Sequence, residues 1–214
     1  EYPIEYYMKN FLDKIKYAIK KRVDNCERQI ACLLSGGLDS SIISAYVSKY
    51  YKEKTGNDIE TYSIGLENAS DFLYANQVSK HIGSKHTEII KTNEQFLDSI
   101  PNVIKDIETF DTTTVRASVG NWNVGKYIKE NSDAKVIFNG DGADELMGGY
   151  LYFHCAPDSI SFRQDCLKLL LGLYGKSQFF CIRGVFSFLS SFKSSHTFSV
   201  KNGIKGCSII NILC

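Results

Sequence analysis

Two short segments place polar, charged and conformationally permissive residues where apolar runs stop. Ser35-Gly36-Gly37-Leu38-Asp39-Ser40-Ser41 follows the run Ile30-Ala31-Cys32-Leu33-Leu34. Gly36 and Gly37 can take positive φ and let an anion approach the backbone closely. Backbone N–H groups at the start of the following helix can then hold phosphate oxygens. Ser35, Ser40 and Ser41 add short donors, and Asp39 is suited to Mg²⁺ or a water of its hydration shell. No G-K-[ST] follows, so this is not a Walker A loop. A serine-capped turn with Asp39 serving only the helix dipole would use some of the same residues. The full seven-residue string in its strand–loop–helix setting points instead to a nucleotide.

The second segment, Asn139-Gly140-Asp141-Gly142-Ala143-Asp144-Glu145, sets three carboxylates within five residues after Lys135-Val136-Ile137-Phe138. They suit Mg²⁺, a substrate amine or proton transfer. They would equally suit a solvated acidic turn entering a helix. A third segment, Glu108 to Ser118, offers the hydroxyls of Thr113 and Thr114 and the planar guanidinium of Arg116, fit to grip pyrophosphate or a carboxylate. An N-cap with Arg116 at the surface is the other reading of that segment.

The elements that must position these residues follow from periodicity. Met8, Phe11, Leu12, Ile15, Ala18 and Ile19 recur at helical spacing, predicting an amphipathic lead-in helix within residues 1–29. Strands are expected at Ile30–Leu34, Glu60–Gly65, His86–Ile90 and Lys135–Phe138. Helices are expected at Asp39–Lys52, Asp71–Ile82, Asn93–Thr109 (marked by Pro101) and Val115–Glu130. Strands alternating with helices imply an α/β fold, a parallel sheet with flanking helices and right-handed crossovers. Ligands bind such sheets outside the carboxyl ends of the strands, where both glycine-rich segments fall. His81 and His86 flank a helix end and a strand start without metal spacing, and are expected to be structural.

Composition narrows the partners. The chain has 214 residues and a net charge of +1, which gives no argument for nucleic acid or a membrane surface. All 24 acidic residues precede Cys166, so residues 1–165 carry −5 and the rest +6. Seven cysteines form no C-x-x-C, and reduced thiols in a cytoplasmic protein are expected. No run reaches the roughly 18 apolar residues of a membrane span.

The phosphate-loop string resembles the signature of the ATP-pyrophosphatase (PP-loop) family, whose members adenylate a substrate and release pyrophosphate. All three segments, in this order and spacing, resemble the synthetase domain of glutamine-dependent asparagine synthetases. Thr61–Leu66, His81–His86 and Gly148–His154 extend the resemblance over about residues 5–160. It implies an adenine nucleotide α-hydrolase-like (Rossmann-like) domain using ATP and Mg²⁺, with aspartate and ammonia as substrates. By the same resemblance Leu33 and Ile64 line the adenine pocket, and Ser35, Gly36, Gly37, Asp39, Ser40, Asn139 and Gly140 bind ATP. Asp141 supports formation of β-aspartyl-AMP, and Asp144 with Glu145 holds aspartate. Thr113, Thr114 and Arg116 steer pyrophosphate or substrate.

One departure is chemical: the family commonly reads Ser-Gly-Glu-Gly-Ser-Asp-Glu where this chain reads Asn-Gly-Asp-Gly-Ala-Asp-Glu. The Asp141 carboxylate is thereby withdrawn by about 1.5 Å, enough to weaken a positioned contact unless a water bridges the gap.

The family's glutaminase half begins with a cysteine nucleophile, whereas this sequence begins with Glu1; the expectation is ammonia from another source. After about Phe162 the match fades. Residues 163–214, basic and rich in Ser, Phe and Cys, are expected to be an atypical tail appended to an ATP-binding domain at 30–162. Two alternatives to asparagine formation remain open here: a truncated domain that binds ATP without turnover, and a β-lactam synthetase-like ligase in which an internal amine replaces ammonia.

Overall fold

In the computed structural model, which describes residues 3–176 and 208–211, the expected alternation of strands and helices is present. The chain order is α1 (Ile4–Asp24), β1 (Ile30–Leu33), α2 (Leu38–Thr55), β2 (Glu60–Leu66), α3 (Ser70–Ile82) and β3 (Lys85–Lys91). There follow α4 (Asn93–Ile107), α5 (Thr112–Asn131), β4 (Val136–Asn139), α6 (Ala143–Met147), a 3₁₀ turn (Leu151–Cys155), α7 (Ser159–Lys176) and β5 (Ser208–Asn211). The strands lie in the order β3-β2-β1-β4-β5, and every neighbouring pair is parallel.

Alternation along the central strands builds two cores. Ile30 and Cys32 of β1 and Val136 and Phe138 of β4 pack with Ile19 and Val23 of α1 and Ile43 and Val47 of α2. Ala31 and Ile137 face the other way, onto Val124 and Ile128 of α5. A period of two thus sends successive side chains of one strand into opposite layers, giving helices on both faces of the sheet. Phe138, Ile30, Ile137 and Ile128 are almost fully removed from water, each worth about 1.5–3 kcal/mol of burial. Because β1 is joined through α2 to β2 on one side but pairs with β4 on the other, the strand order reverses at β1/β4. A crevice opens outside the carboxyl ends at such a point.

Three boundaries differ from expectation for local reasons. α5 starts at Thr112, before Val115, because the Asp111 carboxylate caps it, accepting from the Thr114 N–H and hydroxyl, both at 2.8 Å. α4 starts at the expected Asn93 with a reciprocal Thr92/Gln95 capping box and runs through Pro101, but ends at Ile107 rather than Thr109, because Glu108 turns into the left-handed conformation. β4 keeps Asn139 as its last residue rather than releasing it to the loop, and its side chain is buried.

His86 is half-buried between the Thr61 hydroxyl at 2.9 Å and the Ser63 hydroxyl at 3.1 Å, one on each ring nitrogen. It holds β3 to β2, the structural role expected of it. Cys26, Cys32, Cys155 and Cys166 are free thiols, and burial pushes Cys32 up to about 12, leaving it unreactive. No described helix is long and apolar enough to cross a membrane. In the region expected to be a tail, residues 163–214, the greater part of α7 and Ser208–Asn211 are described: α7 packs on α6 and Ser208–Asn211 adds a strand beside β4; residues 177–207 and 212–214 lie outside the described residues.

Candidate active site

The two glycine-rich loops meet at the β1/β4 switch point. A Cβ on Gly140 would lie 2.8 Å from the Ser40 backbone nitrogen and 3.0 Å from the Asp39 carbonyl carbon. Only a residue without a side chain lets the loop after β4 lie against the start of α2. Gly36 has a different task. Its φ is +82°, and a Cβ there would be 2.6 Å from the Ala75 nitrogen and the Tyr74 Cβ. Gly36 thus seats the phosphate loop on α3 rather than facing the crevice.

Hydroxyls knit the first loop together. Ser35 Oγ and Ser40 Oγ are 2.9 Å apart, the Gly37 N–H donates to Ser35 Oγ at 3.3 Å, and the Ser41 hydroxyl donates to the Gly37 carbonyl at 2.6 Å. Among the described residues no side chain caps the first turn of α2. Its leading N–H groups therefore remain for a ligand, as an anion cradle requires.

The resulting cleft has a volume of about 560 Å³, within the roughly 300–1,000 Å³ of small-molecule sites. Asp39, Asp141, Asp144 and Glu145 line it, while no Lys, Arg or His does so among the described residues. Crowding by the surrounding walls raises the Asp39 carboxyl above its ordinary value, and the Asp144 charge adds to the rise. Asp141 keeps contact with solvent, yet crowding of its carboxyl and the Glu145 charge raise it too, against a lowering bond from Asn139. The Tyr150 hydroxyl donates to Glu145 Oε1 at 2.5 Å. Burial and that carboxylate push the Tyr150 phenol far above its ordinary range, so it stays a donor. Asn139 is 4% exposed; its Nδ2 donates to Asp141 Oδ2 at 2.7 Å, and its Oδ1 has no partner among the described residues.

Four carboxylates without a lining cation repel a bare triphosphate but suit one that arrives with a divalent cation. Among the described residues no group of three or more His, Cys, Asp or Glu is arranged to hold a metal ion. That donor set fits Mg²⁺ carried largely by phosphates and water, its usual mode, with one carboxylate such as Asp39 from the protein.

Of the residues expected from sequence, Leu33, Ser35, Gly37, Asp39, Ser40, Asn139, Gly140, Asp141, Asp144 and Glu145 come together on the cleft. Ile64, like Leu33, packs against the core formed by Ala31, Tyr62 and Ile137, but it does not line the cleft. Thr113, Thr114 and Arg116 sit in the first turns of α5 outside the lining, with Thr114 engaged by Asp111 and Arg116 exposed. Ala117, Asn121 and Tyr150 line the cleft and were missed. Thr113, Ala117 and Asn121 fall at i, i+4 and i+8, a shared helix face that was legible. Tyr150 follows the acidic turn within Gly148–His154, where an aromatic residue alone carries no signal of a site.

This parallel α/β domain, with a phosphate loop after β1 and an acidic loop after β4, is of the PP-loop ATP-pyrophosphatase type. A family model described as asparagine synthase matches residues 10–198, and the chain belongs to that family. Asparagine synthetases [glutamine-hydrolyzing] of Pongo abelii and Homo sapiens are each 46% identical to it over 158 residues, covering 73% of this chain and 28% of theirs. The chain thus spans about 28% of the length of these relatives. The U34-tRNA thiolase NcsA from Methanococcus maripaludis, with its [4Fe-4S] cluster, superposes with a TM-score of 0.52 at 13% identity, covering 96% of this chain and 60% of that chain. It shares the fold alone.

Proposed function

We propose that the chain catalyses ATP-dependent amidation of aspartate. The β-carboxylate of aspartate attacks the α-phosphate of ATP to give β-aspartyl-AMP and pyrophosphate, and ammonia then displaces AMP to give asparagine. The observation that carries this reading is the meeting of the two loops through Gly140, which puts an uncapped helix start and four carboxylates on one cleft. The 46% identity to asparagine synthetases over this part of the chain supports aspartate as the substrate.

In this reading the Ser35–Ser40 loop and the first N–H groups of α2 hold the phosphates, and Leu33 with Ile64 flanks the adenine. Asp39 would hold Mg²⁺, which when bound would supply positive charge against the departing pyrophosphate. Asp144 and Glu145, the latter oriented by Tyr150, hold the amino group of aspartate. Asp141 faces the adenylation step. Arg116, Thr113 and Thr114, at the head of α5, attract pyrophosphate from outside the lining. Ammonia comes from a glutaminase elsewhere or from solution, and the setting is the cytoplasm.

The test is product balance. Purified chain with Mg²⁺, ATP, L-aspartate and ammonium should yield asparagine, AMP and pyrophosphate in equal amounts. ADP as product, or AMP without asparagine, would contradict the reading.

A further inference from the structure

Asn139 is a costly residue for its place. It ends a buried strand, is 4% exposed, and leaves Oδ1 without a partner among the described residues. A buried acceptor left unpaired is unfavourable. The amide cannot be turned to relieve it. Asp141 Oδ2 lies 2.7 Å from Nδ2, and an ionised carboxylate only accepts, so the nitrogen must face it. What the side chain gains is its reach across Gly140, the residue whose backbone lies against Asp39 and Ser40.

The lengths match. Asn exceeds Ser by one bond of about 1.5 Å, and Asp falls short of Glu by the same. The Asn-Gly-Asp of this chain therefore has the same combined reach as Ser-Gly-Glu, redistributed from the carboxylate to its neighbour.

We propose that Asn139 is the positioning residue for Asp141: its amide holds Oδ2 of the short carboxylate and leaves Oδ1 facing the cleft. This rests on the function proposed above, with Asp141 as the group that touches the reacting centre. In the chemical step Asn139 acts through it. The two positions form one unit, so Asn139→Ser and Asp141→Glu are each harmful alone and compensate each other together.

The experiment is a four-protein cycle of the unaltered chain, N139S, D141E and N139S/D141E. It is read by aspartate-dependent exchange of labelled pyrophosphate into ATP and by thermal unfolding without ligands. Each single variant is expected to lose roughly 10–100-fold in the maximal exchange rate, the scale of an ångström-sized misplacement, with the KM for ATP little changed. The double variant should recover most of that loss. Unaltered exchange in N139S, or losses that multiply in the double variant, would overturn the proposal. Should N139S not fold alone, D141E against the double variant decides by rescue or its absence. If the unaltered chain itself shows no exchange, the functional reading has failed. The unfolding cycle then decides the pairing by itself, non-additive melting temperatures supporting it and additive ones overturning it.

Discussion

Gly140 touches Ser40: the backbone of the acidic loop lies so close to the start of α2 that a Cβ on Gly140 would stand 2.8 Å from the Ser40 nitrogen. The two loops are distant in sequence, and this contact makes them one cleft. The two nearest atoms belong to the Asp39–Ser40 backbone and the third is the Asp39 Cβ, fixed to that backbone, so no side-chain rotation relieves the clash. Gly140→Ala should cost about 1–3 kcal/mol of stability through overpacking. It should lower pyrophosphate exchange about 100-fold by parting the phosphate loop from the carboxylates. Chemical denaturation and exchange on the same variant check both.

The crowded carboxylates predict a steep metal requirement. Asp39 is raised by crowding and by Asp144, both unfavourable to a bare anion, and a divalent cation relieves them. EDTA should abolish exchange, and excess Mg²⁺ should restore it. Asp39→Asn should shift the Mg²⁺ concentration for half-maximal exchange upward about tenfold or more, with the melting temperature unchanged or slightly raised. A titration of exchange against Mg²⁺ reads this directly.

Arg116 is exposed and stands just before Ala117, which lines the cleft. If it attracts the leaving group from the rim, Arg116→Ala should raise the KM for pyrophosphate about tenfold in the exchange reaction. The melting temperature should stay within about 1 °C, as expected for a surface substitution. Arg116→Lys should recover only part of the loss, because a lysine has no planar fork.

His86 gives stability a pH dependence. Burial holds its imidazole below the usual 6.5, and the nearby Glu88 charge only partly opposes this. The folded protein thus binds this proton more weakly than the unfolded chain. As pH falls through 6.5 toward the folded value, the unfolded state takes up the proton first and stability declines. Above 6.5 both states are neutral and the group contributes no slope. His86→Gln should flatten the difference between melting temperatures at pH 7.5 and pH 5.5, measured against the unaltered chain to cancel the other histidines.

Much of this was legible in the sequence because buried parallel strands announce themselves. Ile30–Leu34 and Val136–Phe138 are continuous apolar runs, and the loops that follow them line the cleft. Gly56 and Gly83 stop α2 and α3 in the left-handed conformation, as a helix-ending glycine should. What was not legible depends on through-space contact. Nothing in the string shows that Gly36 serves α3 while Gly140 serves α2, since both read simply as loop glycines. Asn139 read as the first loop residue because Asn-Gly is a turn signal, whereas pairing within the sheet and the reach to Asp141 keep it in β4. The Asp111 cap that engages Thr114 is local and could be read as an N-cap, but that alone did not say whether the threonine also served substrate. β5 was missed because Ser208–Asn211 is short and far removed from β4 along the chain.

The central claim is that this cleft cleaves ATP between its α- and β-phosphates to adenylate aspartate. The most direct measurement is exchange of labelled pyrophosphate into ATP by the purified chain with Mg²⁺, with and without L-aspartate. Exchange that requires aspartate, needs no ammonium and falls about 100-fold or more in Gly140→Ala is the predicted result. A folded chain that binds ATP but shows no aspartate-dependent exchange would contradict the account.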